Sequence, residues 1–147
     1  QSSIGLIFSG SGLYTKAIDY YKNALPYYLQ KNNYERIAVL YNNTGKGFLN
    51  MNQTDSAEYY FLLSDSVKRL HNINLPITSF NLADLYFQLG RVKESLVWLV
   101  ICEAESHTRN DVRALIRCYQ LRAEIALQEG KYLEAEKLAK EAVDRAN

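Results

Sequence analysis

The amino-acid sequence predicts an all-α chain in which a pair of helices is copied along its length. A small residue returns after 40, 38 and 40 residues, at Ala17, Ala57, Ser95 and Ala135. A second series keeps the same spacing five residues earlier, at Gly12, Asn52, Gly90 and Gly130. Apolar residues recur at steps of three and four, and only two prolines interrupt the 147 residues. Such a period is typical of repeat proteins, and such steps are typical of helices.

The same patterns predict where the individual helices lie. We expect eight of them, near 1–10, 14–31, 34–50, 54–71, 76–89, 92–107, 111–128 and 132–146. Pro76 fits the first turn of its helix, whereas Pro26 removes a backbone hydrogen bond and predicts a kink or an early end of the second helix. The Gly/Asn series comes just before every second helix, and these residue types best tolerate a left-handed backbone at a helix end. Each repeat is therefore predicted to be a helix, a tight turn and a helix.

The second helix of each repeat carries a small–large–small face. Spacings of four and three place these residues on one side of a helix, where small residues let two helix axes approach to about 8 Å. The four copies are Ala17, Tyr21, Ala24; Ala57, Phe61, Ser64; Ser95, Leu99, Cys102; and Ala135, Ala139, Ala142. The last copy has lost its large residue at Ala139, and the preceding helix has Ala126 in place of an aromatic. We therefore expect the loosest core in the last repeat.

These residues resemble the tetratricopeptide repeat. The pattern of that family runs from an aromatic through Leu-Gly, a second aromatic and a turn Gly to Ala, an aromatic and Ala. Residues 41–45 (YNNTG), continued by Phe48, Ala57 and Phe61, match it closely, as do residues 81–90 (NLADLYFQLG). The resemblance implies a right-handed α-solenoid of antiparallel helix pairs with about 3.5–4 repeats. It covers one domain, 1–147, with repeats at approximately 1–33, 34–73, 74–109 and 110–147.

The chain departs from the family pattern in a few places. Thr44 and Arg122 replace the usual Leu, and Ser79 replaces the first aromatic. The period also exceeds the family's usual length by about six residues, which predicts helices longer by nearly a turn each. This variant resembles the longer-repeat arrays that are joined to bacterial sensors and regulators.

The ends of the chain and its lack of long apolar runs predict whether it is a fragment and whether it contacts a membrane. Gln1 falls at the fourth position of its repeat, and the last helix stops at 144–147 without a capping helix, so we expect a fragment of a longer chain. No apolar run approaches the roughly 20 residues of a membrane span, so we expect no membrane contact by this segment. The compartment stays open: the cytoplasm is favoured, and the periplasmic part of a membrane-anchored sensor is the alternative.

No pattern of catalytic or metal-binding residues is found, and we predict a protein that is not an enzyme and needs no cofactor or metal. The only two histidines, His71 and His107, fall near helix C-termini, where a partial positive charge is favourable. The two cysteines, Cys102 and Cys118, lie sixteen residues apart, which is no metal-ligand spacing. Buried free thiols are the favoured interpretation of this pair, and a disulfide is geometrically possible.

The twelve tyrosines raise the question of base stacking by a nucleic-acid-binding protein. Most of them, including Tyr21, Tyr41, Tyr86, Tyr119 and Tyr132, fall on core positions of the repeats. Stacking works beside a basic groove, and the net charge of +1 gives no sign of one. We therefore expect no nucleic-acid binding by this domain.

The resemblance implies a binding groove, lined by the first helix of each pair on the concave face. Carried over residue by residue, the lining positions are Asn42, Lys46, Asn50, Phe80, Asp84, Phe87, Gln88, Gln120, Glu124 and Gln128. For any one of them a solvated polar surface is the simpler interpretation. Together, the amides and the two phenylalanines suit the backbone of an extended peptide and an apolar side chain or two.

Some members of the family hold the acidic tails of chaperones in a clamp of Lys, Arg and Asn. Here Lys46 and Arg117 are the only candidate cations, and Asp84 and Glu124 would repel a carboxylate, so we reject the clamp. The first hypothesis is a non-catalytic scaffold that binds a protein or peptide segment, as the sensing or interaction part of a larger bacterial regulator. The alternative is a structural spacer or a self-association element, which forms a homo-oligomer and has no groove ligand.

Overall fold

The structure is a computed structural model, and it describes residues 14–147. Within this range there are seven helices and no strand: α1 (Tyr14–Gln30), α2 (Tyr34–Asn50), α3 (Thr54–Leu70), α4 (Pro76–Gln88), α5 (Val92–Arg109), α6 (Val112–Gln128) and α7 (Tyr132–Ala146). The all-α prediction is confirmed, and the seven predicted helices in this range have the right bounds to within two residues. The helix predicted at 1–10, which would be the eighth, lies outside the described residues.

Of the two outcomes expected at Pro26, a kink or an early end of the helix, the early end does not occur. Helix α1 runs through Pro26 to Gln30. The turn beyond the proline is retained because Tyr28 packs against the buried cluster of Ala17, Tyr21 and Leu40. One lost N–H bond therefore does not end a helix whose last turn is held by packing. A kink at Pro26 stays a prediction.

Every helix-to-helix connection among the described residues closes in the same way. One or two residues after each helix end, the chain has a left-handed backbone, at Asn32, Asn52, Asn72, Gly90, Asn110 and Gly130. The next residue donates its N–H to the carbonyl oxygen five residues back, as in Gln53 to Phe48 at 3.0 Å and Arg91 to Tyr86 at 2.8 Å. This is the Schellman motif, which satisfies carbonyls left free at a helix end. The predicted left-handed role is confirmed for Asn52, Gly90 and Gly130, while Gly12 lies outside the described residues.

The close helix crossings lie where the small residues predict them. Ala57 is fully buried between α2 and α3, opposite Gly45. A Cβ atom on Gly45 would lie only 2.7 Å from Cδ1 of Phe61 and 3.1 Å from the carbonyl oxygen of Ala57. In the next pair the fully buried Ser95 donates its hydroxyl hydrogen to the carbonyl oxygen of Ala83 at 2.7 Å. A larger residue at either crossing would push the two helices apart.

The helices group into two compact units, and the boundary between them falls between Ile73 and Asn74. This is also the predicted boundary between the second and third repeats. In unit 1 the described helices are α1 to α3, and in unit 2 they are α4 to α7; within each unit every helix packs on the next. Unit 2 has its own buried cluster, formed by Ala83, Leu99, Cys102, Cys118, Leu121 and Ile125. The superhelical arrangement of a solenoid stays a prediction.

The last helix is the most thinly packed element of unit 2. Only Ala135 and Ala142 of α7 are buried. An open hollow of about 380 Å³ lies between α6 and α7, with Ala139 among its lining residues. This agrees with the loose core expected where the large residue is missing.

Candidate functional site

Three of the ten predicted groove residues lie on α2 in unit 1. Lys46 and Asn50 are exposed, but Asn42 is only 4% exposed and packs inside the unit. Each four-residue step overshoots a helical turn by about 40°, so Asn42 and Asn50 point in directions about 80° apart. Positions one turn apart therefore do not all face the same surface over two turns. Lys46 and Asn50 remain the candidate groove residues that unit 1 exposes on α2.

The other seven groove residues lie in unit 2, on the two helices α4 and α6, which contact each other. Phe80, Asp84 and Phe87 on α4 are half-buried. The exposed members are Gln88, Gln120, Glu124 and Gln128. Both phenylalanines pack their inner sides against the buried cluster of unit 2. We call this surface the α4–α6 face; its amides and ring edges lie where a peptide could reach them.

A small hollow lies on the α4–α6 face beside Phe80. It has a volume of about 150 Å³, and Ile77, Phe80 and Ala114 supply its apolar lining. The guanidinium carbon of Arg117 lies 5.9 Å from the centre of the Phe80 ring, which is within cation–π range. Arg113 also lines this space. We call it the Phe80 hollow: an apolar depression with two cations at its edge.

Sequence reasoning identified Phe80 and weighed Arg117, but it missed Ile77, Arg113 and Ala114. Arg113 and Arg117 lie one turn apart on α6, and Ile77 and Phe80 lie one turn apart on α4. These spacings are visible in the sequence, but they do not reveal which turn of α4 faces which turn of α6. The extra cation changes the charge pattern of the face, because Arg113 and Arg117 lie toward the start of α6 and Glu124 lies toward its end.

Asp111, which also lines the Phe80 hollow, already has a structural role. Its side chain accepts a hydrogen bond from the N–H of Ala114 at 3.0 Å and caps the start of α6. The capping bond holds this carboxylate at the helix terminus. The negative charge beside the two arginines therefore serves as the N-cap of α6.

The buried carboxylate of unit 2 is also structural. Glu105 accepts hydrogen bonds from the N–H of Leu75 at 2.9 Å and from the hydroxyl of Ser79 at 2.5 Å. It thereby closes the N-terminus of α4, where a negative charge is favoured. Ser79 is thereby tied by its hydroxyl to the carboxylate of the neighbouring helix.

The two histidines lie where the sequence predicts them. His71 follows the last residue of α3, and its ring stacks on Tyr34 with the ring centres 3.6 Å apart. His107 lies in the exposed last turn of α5. In residues 14–147 no group of His, Cys, Asp and Glu side chains is arranged to hold a metal ion.

Cys102 and Cys118 are buried thiols that face each other across α5 and α6. The Cys118 thiol donates to the sulfur of Cys102 at 2.9 Å, and the Cys102 thiol donates to the carbonyl oxygen of Pro76 at 3.5 Å. That hydrogen bond to Cys102, together with burial, raises the pKa of Cys118 well above the ordinary range of a thiol. A thiol held protonated is a weak nucleophile, so this pair acts as packing material in the structure.

Comparison with protein-family models and with curated proteins finds no match for this chain. Over the described part of the chain, no helix has both the length and the apolar character needed to cross a membrane.

Proposed function

We propose that this chain is a non-catalytic helical-repeat module of the tetratricopeptide type that binds a protein or peptide segment. It would serve as the sensing or interaction part of a larger bacterial regulatory protein. The observation that carries the proposal is the Phe80 hollow on the α4–α6 face. Its volume of about 150 Å³ suits a single apolar side chain and is too small for most cofactors.

The chemistry around the Phe80 hollow supports a peptide with one apolar anchor residue. The ring of Phe80 and the aliphatic Ile77 would contact the anchor, while Gln120 and Gln88 on the same face offer amides to a peptide backbone. Arg113 and Arg117 favour an acidic residue near the anchor, and Glu124 favours a basic residue toward the other end of α6. The expected partner is an extended segment with a charge at each side of its anchor.

The test selects dodecapeptides from a random display library on the intact chain and measures their affinity for variants. Phe80→Ala should weaken the selected peptides by about tenfold or more, because it removes the wall of the anchor pocket. Arg117→Ala should weaken them by about fivefold and is safer for folding, since Arg117 is exposed. Val97→Ala, at an exposed position of α5, is the matched control and should change nothing.

The peptide proposal fails if the library yields no binder, or if selected peptides bind the Arg117→Ala and Phe80→Ala variants as tightly as the wild-type chain. Circular dichroism of each variant checks that its helices are retained. Loss of affinity in a folded Arg117→Ala variant alone is enough to assign the peptides to this face.

Self-association is the second candidate, and a separate observation favours it. On α7, the side chains of Tyr132, Leu133 and Val143 are 68%, 85% and 59% exposed, beside the open hollow between α6 and α7. The prediction that Tyr132 is a core residue is therefore wrong. Exposed apolar side chains in such numbers suit a contact with another apolar surface. Light scattering should then reveal a dimer that Leu133→Glu abolishes. A monomer at all concentrations would remove this candidate.

A further inference from the structure

A second hollow lies in unit 1, between α1, α2 and α3, and the peptide proposal does not use it. It encloses about 320 Å³, at the lower end of the range of small-molecule sites. Leu25, Leu40 and Leu63 form its apolar wall. We call it the tyrosine hollow, because four tyrosines also line it: Tyr21, Tyr41, Tyr59 and Tyr60.

Among residues 14–147, Lys22 is the one charged side chain that lines the tyrosine hollow. Its ammonium nitrogen lies 5.8 Å from the ring centres of both Phe48 and Tyr60, and these two rings stack at 5.4 Å. Among the described residues this ammonium forms no ion pair. The side chain is exposed, so the ammonium is in contact with water as well as with the ring faces and is open to an anion.

Three phenol groups converge on the same space. Burial, and then the neighbouring phenols of Tyr59 and Tyr60, raise the pKa of Tyr41, so the three phenol groups lie close together. The rings of Tyr41 and Tyr60 are half-buried, and that of Tyr59 is exposed. Within residues 14–147 none of the three hydroxyls has a hydrogen-bond partner. A phenol hydroxyl donates readily to an anionic oxygen. The hollow thus combines unused donors, one cation and an apolar wall.

The corresponding position in unit 2 is occupied by the protein's own side chains. The repeat relates residues 78 positions apart, as in Ala17 and Ser95 or Ala57 and Ala135. By this shift Leu25 corresponds to Glu103 and Thr44 to Arg122. Arg122 donates from Nε to Oε1 of Glu103 at 2.7 Å, so an ion pair bridges α5 and α6 there. The tyrosine hollow is therefore a specific feature of unit 1 and no by-product of the repeat.

We propose that the tyrosine hollow binds a small free carboxylic acid with an apolar body, its carboxylate held by Lys22 and the phenols and its body packed on the leucines. A cationic ligand would meet the Lys22 ammonium and be repelled. A neutral apolar ligand would leave the phenol donors and the ammonium unused. The acid is the class that satisfies all three parts of the lining.

The test titrates the intact chain with 4-phenylbutyrate and with its neutral amide, 4-phenylbutanamide, and follows the tyrosine ring signals by NMR. The acid should shift the signals of Tyr41 and Tyr60 and bind about fivefold more tightly than the amide, as expected for one partly exposed ion pair. Lys22→Met should bring the acid to the affinity of the amide. Lys16→Met, at an exposed position of the same helix, is the control and should preserve the difference.

A second variant introduces the ion pair of unit 2 at the corresponding positions of unit 1. The double substitution Leu25→Glu with Thr44→Arg should rebuild the ion pair inside the hollow and abolish binding of both probes while circular dichroism reports intact helices. If the double variant does not fold, the Lys22→Met comparison decides. The proposal is overturned if the acid fails to bind, if acid and amide bind alike, if Lys22→Met leaves their ratio unchanged, or if the shifted signals belong to unit 2.

Discussion

Units 1 and 2 use the same backbone period but treat the space between their helices differently. In unit 1 Leu25 and Thr44 leave an aromatic hollow of about 320 Å³. In unit 2 Glu103 and Arg122, at the corresponding positions, form an ion pair across that space. Both units nevertheless close their turns with left-handed Asn or Gly residues. The repeat therefore fixes turns and crossings and leaves the side chains between the helices free to diverge.

The largest difference in stability between the two units is expected for substitutions at the helix crossings that contain Gly45 and Ala123. Gly45→Val should destabilise the chain by about 3 kcal/mol, because a Cβ there lies 2.7 Å from Phe61 and neither helix can yield cheaply. The corresponding residue of unit 2 is Ala123, which lines the open hollow beside α7. Ala123→Val should therefore cost only about 0.5 kcal/mol, the difference in helix propensity. Urea unfolding followed by circular dichroism measures both. Equal losses would mean that the two crossings are equally tight.

The ion pair of unit 2 is the next test. Arg122→Met should cost about 2 kcal/mol, since it leaves the Glu103 carboxylate, 21% exposed, without its partner. The double variant Arg122→Thr with Glu103→Leu, which carries the residues of unit 1, should cost less than the single variant because no unpaired charge remains. A double-mutant cycle by urea unfolding, completed with the single variants Arg122→Thr and Glu103→Leu, measures the coupling. Additive effects would indicate that the ion pair contributes nothing beyond its separate side chains.

A substitution in α7 tests whether unit 2 is less tightly packed than unit 1 because it lacks a large residue. Ala139 corresponds to Phe61 of unit 1 and lines the hollow of about 380 Å³. Ala139→Phe should fill that space and stabilise unit 2 by about 1 kcal/mol. Lys140→Phe adds the same ring at the neighbouring exposed position, outside the hollow, and should give no gain. Thermal unfolding midpoints compare the two, and a gain shared by both would trace the effect to the ring itself.

The smallest expected effect is a pH dependence that belongs to unit 1. Burial raises the pKa of Tyr41 above its ordinary value of 10.0, so folding favours the protonated phenol. This contribution to stability is complete below pH 10 and is lost as the pH rises through the folded-state pKa. Tyr41→Phe should flatten the fall in unfolding free energy on the alkaline side. Tyr132→Phe, at an exposed tyrosine, is the matched control, and a slope unchanged in Tyr41→Phe would contradict the assignment.

The helices were predictable because their signals are local. Turn residues and small residues recur at fixed intervals, and each acts within one turn or one crossing. The left-handed residues between one repeat and the next, Asn32, Asn72 and Asn110, were not predicted from the sequence. Asparagine is ambiguous there because it also occurs at helix starts, as Asn33 does. The sequence left open whether Pro26 kinks or ends its helix, because the outcome depends on the packing of Tyr28 against residues of two helices.

The candidate site was predictable only in part. Phe80 follows from the resemblance, but Arg113 joins it only once the register between α4 and α6 is known. Asn42 is buried because each four-residue step along a helix rotates the side-chain direction by about 40°. The tyrosine hollow depends on pairs of side chains from different helices, such as Leu25 and Thr44, and no single-helix pattern encodes it.

The uniform turns also bear on how such a chain can change its length. Asn32 and Asn72 have the same φ of 53°, and the 40 residues between them form one complete copy of the repeat. If the gene segment encoding residues 33–72 were duplicated in tandem, the new junction would join Asn72 to Asn33. That junction reproduces the native Asn32–Asn33 dipeptide in sequence and in backbone conformation. Duplication or deletion of this segment would therefore create no foreign loop, so the chain can gain or lose whole copies in evolution without first acquiring a new connection.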